Sequence, residues 1–160
     1  MDDALFASLL AALAEAATRV EASVRAVPPG AWDEVIHSGD GPWSRRKLLA
    51  HMASNDLRQN VRVRIGASIA QPGAAAAYEE GSEVDAWNAA RVAERAGHTV
   101  EELLAEMRAN RASLIALLGG LTVDQRGCRM PFRGRTLPLE EMLPFVIGHI
   151  DQHAAELSAR

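Results

Sequence analysis

Apolar residues recur along this chain at helical spacing. From Asp3 to Ala26 they fall at Phe6, Leu9, Leu10, Leu13, Ala17, Val20 and Val24, one stripe of an amphipathic helix. Val27-Pro28-Pro29-Gly30 stops it, and a loop carrying Trp32 follows. Gly41-Pro42-Trp43 reads as irregular. Ser44 is a good N-cap for a second helix that starts at Arg45, reaches the mid-sixties and aligns Leu48, His51, Met52, Asn55 and Gln59 on one face. Gln71 to Gly81 reads as a loop, with a turn at Pro72-Gly73. A third helical region begins near Ser82 with Val84, Trp87 and Val92, and Gly97-His98 interrupts it. The capping box Thr99-Val100-Glu101-Glu102 restarts a helix whose stripe is Val100, Leu103, Leu104, Met107, Leu114, Leu117 and Leu118, ending at Gly119-Gly120. Residues 121–137, with Gly127, Pro131 and Gly134, form an ordered connection with room for a short hairpin. The last helix starts near Pro138 and runs to the C-terminus through Val146, His149, Ile150, His153 and Leu157. Pro144 is expected to kink it or mark a second start. Four long helices predict an all-α, four-helix bundle, and 160 residues suit one domain, 1–160.

Composition agrees. Apolar residues make up 48% and aromatics 4%, a bias toward helix and away from strand. The balance of 17 basic and 21 acidic residues leaves no basic stripe for phosphates, so no nucleic-acid partner is expected. The single cysteine, Cys128, excludes a disulfide within the chain and suits a reducing compartment. Met1-Asp2-Asp3 has the wrong charge for a secretory signal, and no apolar run is long enough for a bilayer. A soluble, cytoplasmic protein without a membrane partner is the expectation.

The chemistry lies in histidines. His149 and His153 are four apart on one helix, so both rings reach the same face, roughly 6 Å apart along the axis. That face also carries Val146, Ile150 and Leu157. His51 lies between Leu48 and Met52 on the inward face of the second helix. A lone histidine on an apolar stripe is most often a hydrogen-bonded core residue. Three of them burden the core with donors and acceptors that all need partners. One metal ion answers all three, and three protein ligands with an open position is the arrangement of catalytic zinc sites. Around them Asn55, Asn88 and Glu156 are secondary candidates for the site. Glu156 is placed either to orient a ligand ring or to close a helix-end salt bridge, and Asn55 either to face the site or to pack in the core. Asp56 and Asp151 fall off the metal face. Trp32, Trp43 and Trp87 read as packing residues, with a pocket rim as the other option for a tryptophan. Arg126 and Arg129 beside Cys128 would lower its pKa, although a bystander thiol is the default. His37 and His98 fall in loops and are expected to face solvent.

Trp43-Ser44 with Leu48-Leu49-Ala50-His51 and Asp56 resembles the second-helix signature of the DinB-like (YfiT-like) proteins, and Gly148-His149-Ile150-Asp151-Gln152-His153 resembles their fourth-helix metal motif. Asp85-Ala86-Trp87-Asn88 is similar to the start of the third helix in relatives of the mycothiol-dependent maleylpyruvate isomerases. The resemblance spans most of the chain. It implies an up-down-down-up bundle, a three-histidine metal site at His51, His149 and His153, and a homodimer. It also implies a metal-dependent transferase or isomerase that uses a low-molecular-weight thiol such as mycothiol, bacillithiol or glutathione on a small-molecule electrophile. Two departures stand out. Those isomerases carry a further C-terminal domain, and they tend to have a carboxylate where His149 stands. Both make this chain more similar to the stand-alone members and argue against maleylpyruvate as substrate.

The alternatives are a metal-dependent hydrolase, with Glu156 as the one carboxylate placed to serve it, and a metal-binding stress-response protein without catalysis. Three imidazoles suit zinc or nickel, and also iron or cobalt.

Overall fold

The computed structural model describes residues 1–38, 42–69, 84–132 and 135–159. Helix α1 (Asp3–Ala26) starts at the Asp2 side chain, which accepts from the Leu5 amide at 2.8 Å. A 3-10 turn (Pro29–Ala31) leads to a hairpin of β1 (Val35–Ser38) and β2 (Pro42–Ser44). Pro42 and Trp43, read as irregular, are therefore in a strand, Gly41 lies outside the described residues, and His37 lies in β1 rather than in a loop. Propensity at Pro42 gives no hint of this, because the pairing partner is supplied by Val35–Ser38. Ser44 then caps α2 (Arg45–Gly66) by accepting from the Lys47 amide. The expected loop over 71–81 and helix start at Ser82 lie outside the described residues. Helix α3 (Val84–Glu94) and helix α4 (Val100–Gly119) are separate, and the Thr99–Glu102 capping box opens α4. One turn of helix α5 (Val123–Arg126) and a second hairpin, β3 (Arg129–Phe132) with β4 (Arg135–Pro138), fill the connection, as its turn residues suggested. Helix α6 (Leu139–Ser158) runs unbroken through Pro144.

Side-chain bonds fix the direction of each helix. Met1 reaches Glu140 and Arg19 reaches Asp151, so α1 and α6 run parallel. Asn110 binds the Ala53 carbonyl and Asn60 binds Ser113, so α2 and α4 also run parallel. Arg45 at the start of α2 meets Leu157 and Ala159 at the end of α6, which makes that pair antiparallel. The bundle is up-down-down-up, with α1 against α6 and α2 against α4 as its closest pairs. Gly66 permits the second hairpin to close over the end of α2. A Cβ there would stand 2.8 Å from the Arg129 carbonyl oxygen.

Stripes on α1, α4 and α6 bury Leu13, Val20, Leu103, Met107, Leu114, Leu118, Met142, Val146, Ile150 and Leu157. Helix α2 differs. Its one-face stripe was expected, yet burial extends around it to Asp56, Arg58, Asn60 and Arg62, because α3, α4, α6 and the second hairpin enclose it. Such polar burial is tolerable only with partners. Arg111 of α4 supplies one, donating to Asp56 at 2.5 Å and to the Leu13 carbonyl at 3.0 Å, and so joins three helices. Burial pushes the Asp56 carboxyl above its usual value, and Arg111 opposes that shift.

Replacing Arg111 by Met is expected to destabilise the fold by about 3–5 kcal/mol in urea unfolding, because Asp56 is left buried without its cation. The double change Asp56→Leu with Arg111→Met should recover most of the loss. An equal loss in the single and double variants would contradict this account.

Candidate functional site

The start of α2 sets the site. Arg45 is buried and donates to the carbonyls of Leu157 and Ala159, two of the acceptors that the end of α6 leaves without intrahelical donors. His51 follows six residues later, a rise of about 9 Å along α2. Counting back from Leu157, His153 lies about 6 Å and His149 about 12 Å along α6. His51 therefore comes level with the midpoint of the pair, a match made by the antiparallel register.

The rings meet there. The centroids of His51 stand 5.2 Å from His153 and 5.8 Å from His149, with near-perpendicular planes. One ligating atom from each residue lies within 4.8 Å of the others. The Nε2 atoms of His149 and His153 are 3.2 Å apart. Two nitrogens bound tetrahedrally at about 2.0–2.1 Å stand roughly 3.3 Å apart, so this spacing suits a shared cation. Glu156 Oε2 lies 2.7 Å from His153 Nδ1. An ionised carboxylate only accepts, so Nδ1 carries the proton and Nε2 keeps its lone pair for the centre of the cluster. Of the two roles open to Glu156, the structure therefore favours orienting the ring.

His51 is buried, and its Nδ1 has no hydrogen-bond partner among the described residues. Burial, then the neighbouring His153, His149 and Arg58, lowers its pKa to about 3, so the ring is neutral at physiological pH. A neutral imidazole is the ligating form. An orphaned buried nitrogen, a neutral ring and a matched pair fit a divalent cation.

The triad opens on a cavity of about 810 Å³, lined also by Trp43 and Leu48 and, from α3, by Asn88, Ala89 and Val92. Asn88 thus reaches the cavity wall, where it accepts from Arg58. Asn55 does not line the cavity. It accepts from Gln59 at 3.1 Å and from Arg58 at 3.4 Å, which is the core role. Asp151 lies away from the site on Arg19, and Asp56 on Arg111. Trp32 is buried in the core. Trp43 packs edge-on against His51 at 5.4 Å, at the cavity rim, and Trp87 lies between Arg58 and Arg91. His98 is exposed. Cys128 keeps its default as a bystander thiol, and the activation by Arg126 and Arg129 is not found. Burial raises its pKa, while Arg126 turns to Asp3 and Phe6 and Arg129 turns to Thr136.

Sequence reasoning missed Phe145, which stacks on His149 at 6.4 Å. Its spacing of four from His149 on one helix was the available signal. On the cavity-facing side of α3 it named Asn88 but missed Ala89, Val92 and Ala93, whose short apolar side chains carry no chemical signal.

The sequence pattern of the DinB superfamily matches residues 12–157. The chain belongs to that superfamily. Among solved structures, the mycothiol-dependent maleylpyruvate isomerase superposes with a TM-score of 0.74 at 18% identity over 96% of this chain. A single-site variant of that isomerase gives 0.75 at 17% over 97%. This chain spans 61% of the isomerase's length in both. YfiT from Bacillus subtilis, described as a probable metal-dependent hydrolase with an unusual four-helix bundle topology, gives 0.70 at 18%, covering 99% of this chain and 86% of that one. No curated protein sequence matches the chain. At these identities the likeness establishes the DinB-like fold. Among the described residues no helix is long and apolar enough to cross a membrane.

The depressed pKa of His51 has a consequence for the metal-free protein. Between pH 6.5 and 3 the unfolded chain binds a proton at His51 that the folded chain excludes, so this contribution is full above 6.5 and is lost as pH falls through the window. Urea midpoints of metal-free protein should drop across that range, and less steeply in His51→Met. Identical slopes in both proteins would rule out a buried, neutral His51.

Proposed function

We propose that this protein is a metal-dependent enzyme that transfers or isomerises by way of a low-molecular-weight thiol, with His51, His149 and His153 holding one divalent cation. The observation that carries the reading is a three-imidazole cluster with its open side on a cavity large enough for a small molecule. When bound, such a cation would supply a Lewis-acid centre on which a thiol loses its proton at neutral pH. The chain's own residues do the rest. Glu156 fixes the tautomer of His153, Trp43 and Phe145 hold the rings of His51 and His149, and the cavity admits the electrophile beside the thiol.

Hydrolysis, the activity ascribed to YfiT, would require a free base near the open position. Glu156 is engaged with His153 and Gln152 and lies off the cavity wall, so that role would fall to Asp33 or Asp85, the carboxylates that line the cavity. Zinc or nickel is the expected cation, and mycothiol or bacillithiol the expected type of thiol. The likeness to the mycothiol-dependent isomerase supports this at the level of fold.

Purified without an affinity tag, the protein should contain about one divalent ion per chain. His51→Ala, His149→Ala and His153→Ala should each lose most of it, whereas His37→Ala and His98→Ala retain it. Retention in the first three with loss in the last two would place the site elsewhere. Glu156→Gln should weaken metal binding by about 10–100-fold, read by competition with a chelator; an unchanged affinity would remove its orienting role. The loaded protein should accelerate conjugation of mycothiol, bacillithiol or glutathione to small electrophiles. No acceleration with any of them would end the transferase reading.

A further inference from the structure

Helix α3 does not do what an amphipathic helix ordinarily does. It buries none of its eleven residues, although alanines and Val92 make up much of its surface. Such a face normally packs against another element. Here Ala86, Ala89, Val92 and Ala93 line the same cavity as the histidine triad, and the three alanines stay exposed. Leu48 and Trp43 contribute further apolar lining. Of the cations on the wall, Arg46, Lys47 and Arg95, Arg46 is engaged with Asp33 at 2.9 Å and Arg95 with Glu106. His51, which also lines this cavity, carries a buried Nδ1 without a hydrogen-bond partner among the described residues. A volume of about 810 Å³ is ample for a small organic molecule.

We propose that the small molecule this site takes beside the cation carries an apolar body, aromatic or branched alkyl, and that the alanine face of α3 receives that body. The inference rests on the metal reading above. The short side chains leave space beside the triad, and Ala86, Ala89 and Ala93 stay exposed among the described residues, so the ligand's own apolar surface completes their burial. The size of residues 89 and 93 then sets which bodies fit.

Two hydroxamates test this, because they share one chelating head and differ only in a phenyl or a methyl group. Their binding to the full chain loaded with cobalt is read from the visible spectrum, after metal content has been measured. Benzohydroxamate should bind roughly tenfold or more tightly than acetohydroxamate. Ala89→Leu and Ala93→Leu should remove most of that preference while leaving metal content and acetohydroxamate binding unchanged. Ala90→Leu, on α3 but outside the cavity lining, should keep it. Equal affinities in the wild type, or an undiminished preference in both cavity variants, overturns the inference while the metal reading stands. Absence of metal uptake by the wild type overturns both.

Discussion

The register between α2 and α6 is the constraint on which the site depends. Arg45, at the first position of α2, spends its donors on the last carbonyls of α6 and on Glu34 and Ala31. That fastening ties the opening of one helix to the close of another that begins almost a hundred residues later. It satisfies carbonyls that would otherwise lose hydrogen bonds at a buried helix end. It also fixes how far His51 lies from that end, and the helical rise then brings it level with His149 and His153. A slip of one turn, about 5.4 Å, would carry His51 past one member of the pair.

Around that register the bundle accepts an unusual cost. Helix α2 carries Asp56, Arg58, Asn60 and Arg62 into buried positions and is enclosed on most sides. Most of its polar groups meet partners, Asp56 Oδ2 in Arg111, Asn60 in Ser113, and Arg58 in Asn55 and Asn88, while Asp56 Oδ1 has none among the described residues. These partners come from α2 itself, α3 and α4, so the polar interior of α2 is also what ties the extra helix and the crossover to the bundle. The same enclosure desolvates His51 and keeps it neutral, which is the state a cation needs. Stability and site chemistry are thus two effects of one burial.

The three rings are braced from outside the cluster. Glu156 holds His153 through Nδ1, Phe145 stacks on His149, and Trp43 meets His51 edge-on. Each brace comes from a residue close in sequence to the ring it supports, or from the strand that leads into its helix. The open side of the cluster is lined by α3, a helix outside the four of the bundle. Separating the braced rings from a wall with few packing duties lets the wall vary without disturbing the histidine cluster.

The sequence alone determined the helices and picked out the three histidines that the fold brings together. Apolar spacing in α1, α4 and α6 is strong because each buries one stripe, and the capping groups at Ser44 and Thr99 are local signals that need no tertiary partner. The pair His149–His153 is legible from helical geometry. The all-round burial of α2, the strand at Pro42–Ser44, the pairing of Arg111 with Asp56 and the raised pKa of Cys128 were decided by the tertiary structure. Each depends on a neighbour that is distant in the chain or brought close only by folding. The cavity belongs with them. Part of its wall is ordinary alanine on α3, and only the placement of that helix brings those residues to the cavity of His51, because a short apolar side chain carries no chemical signal by itself.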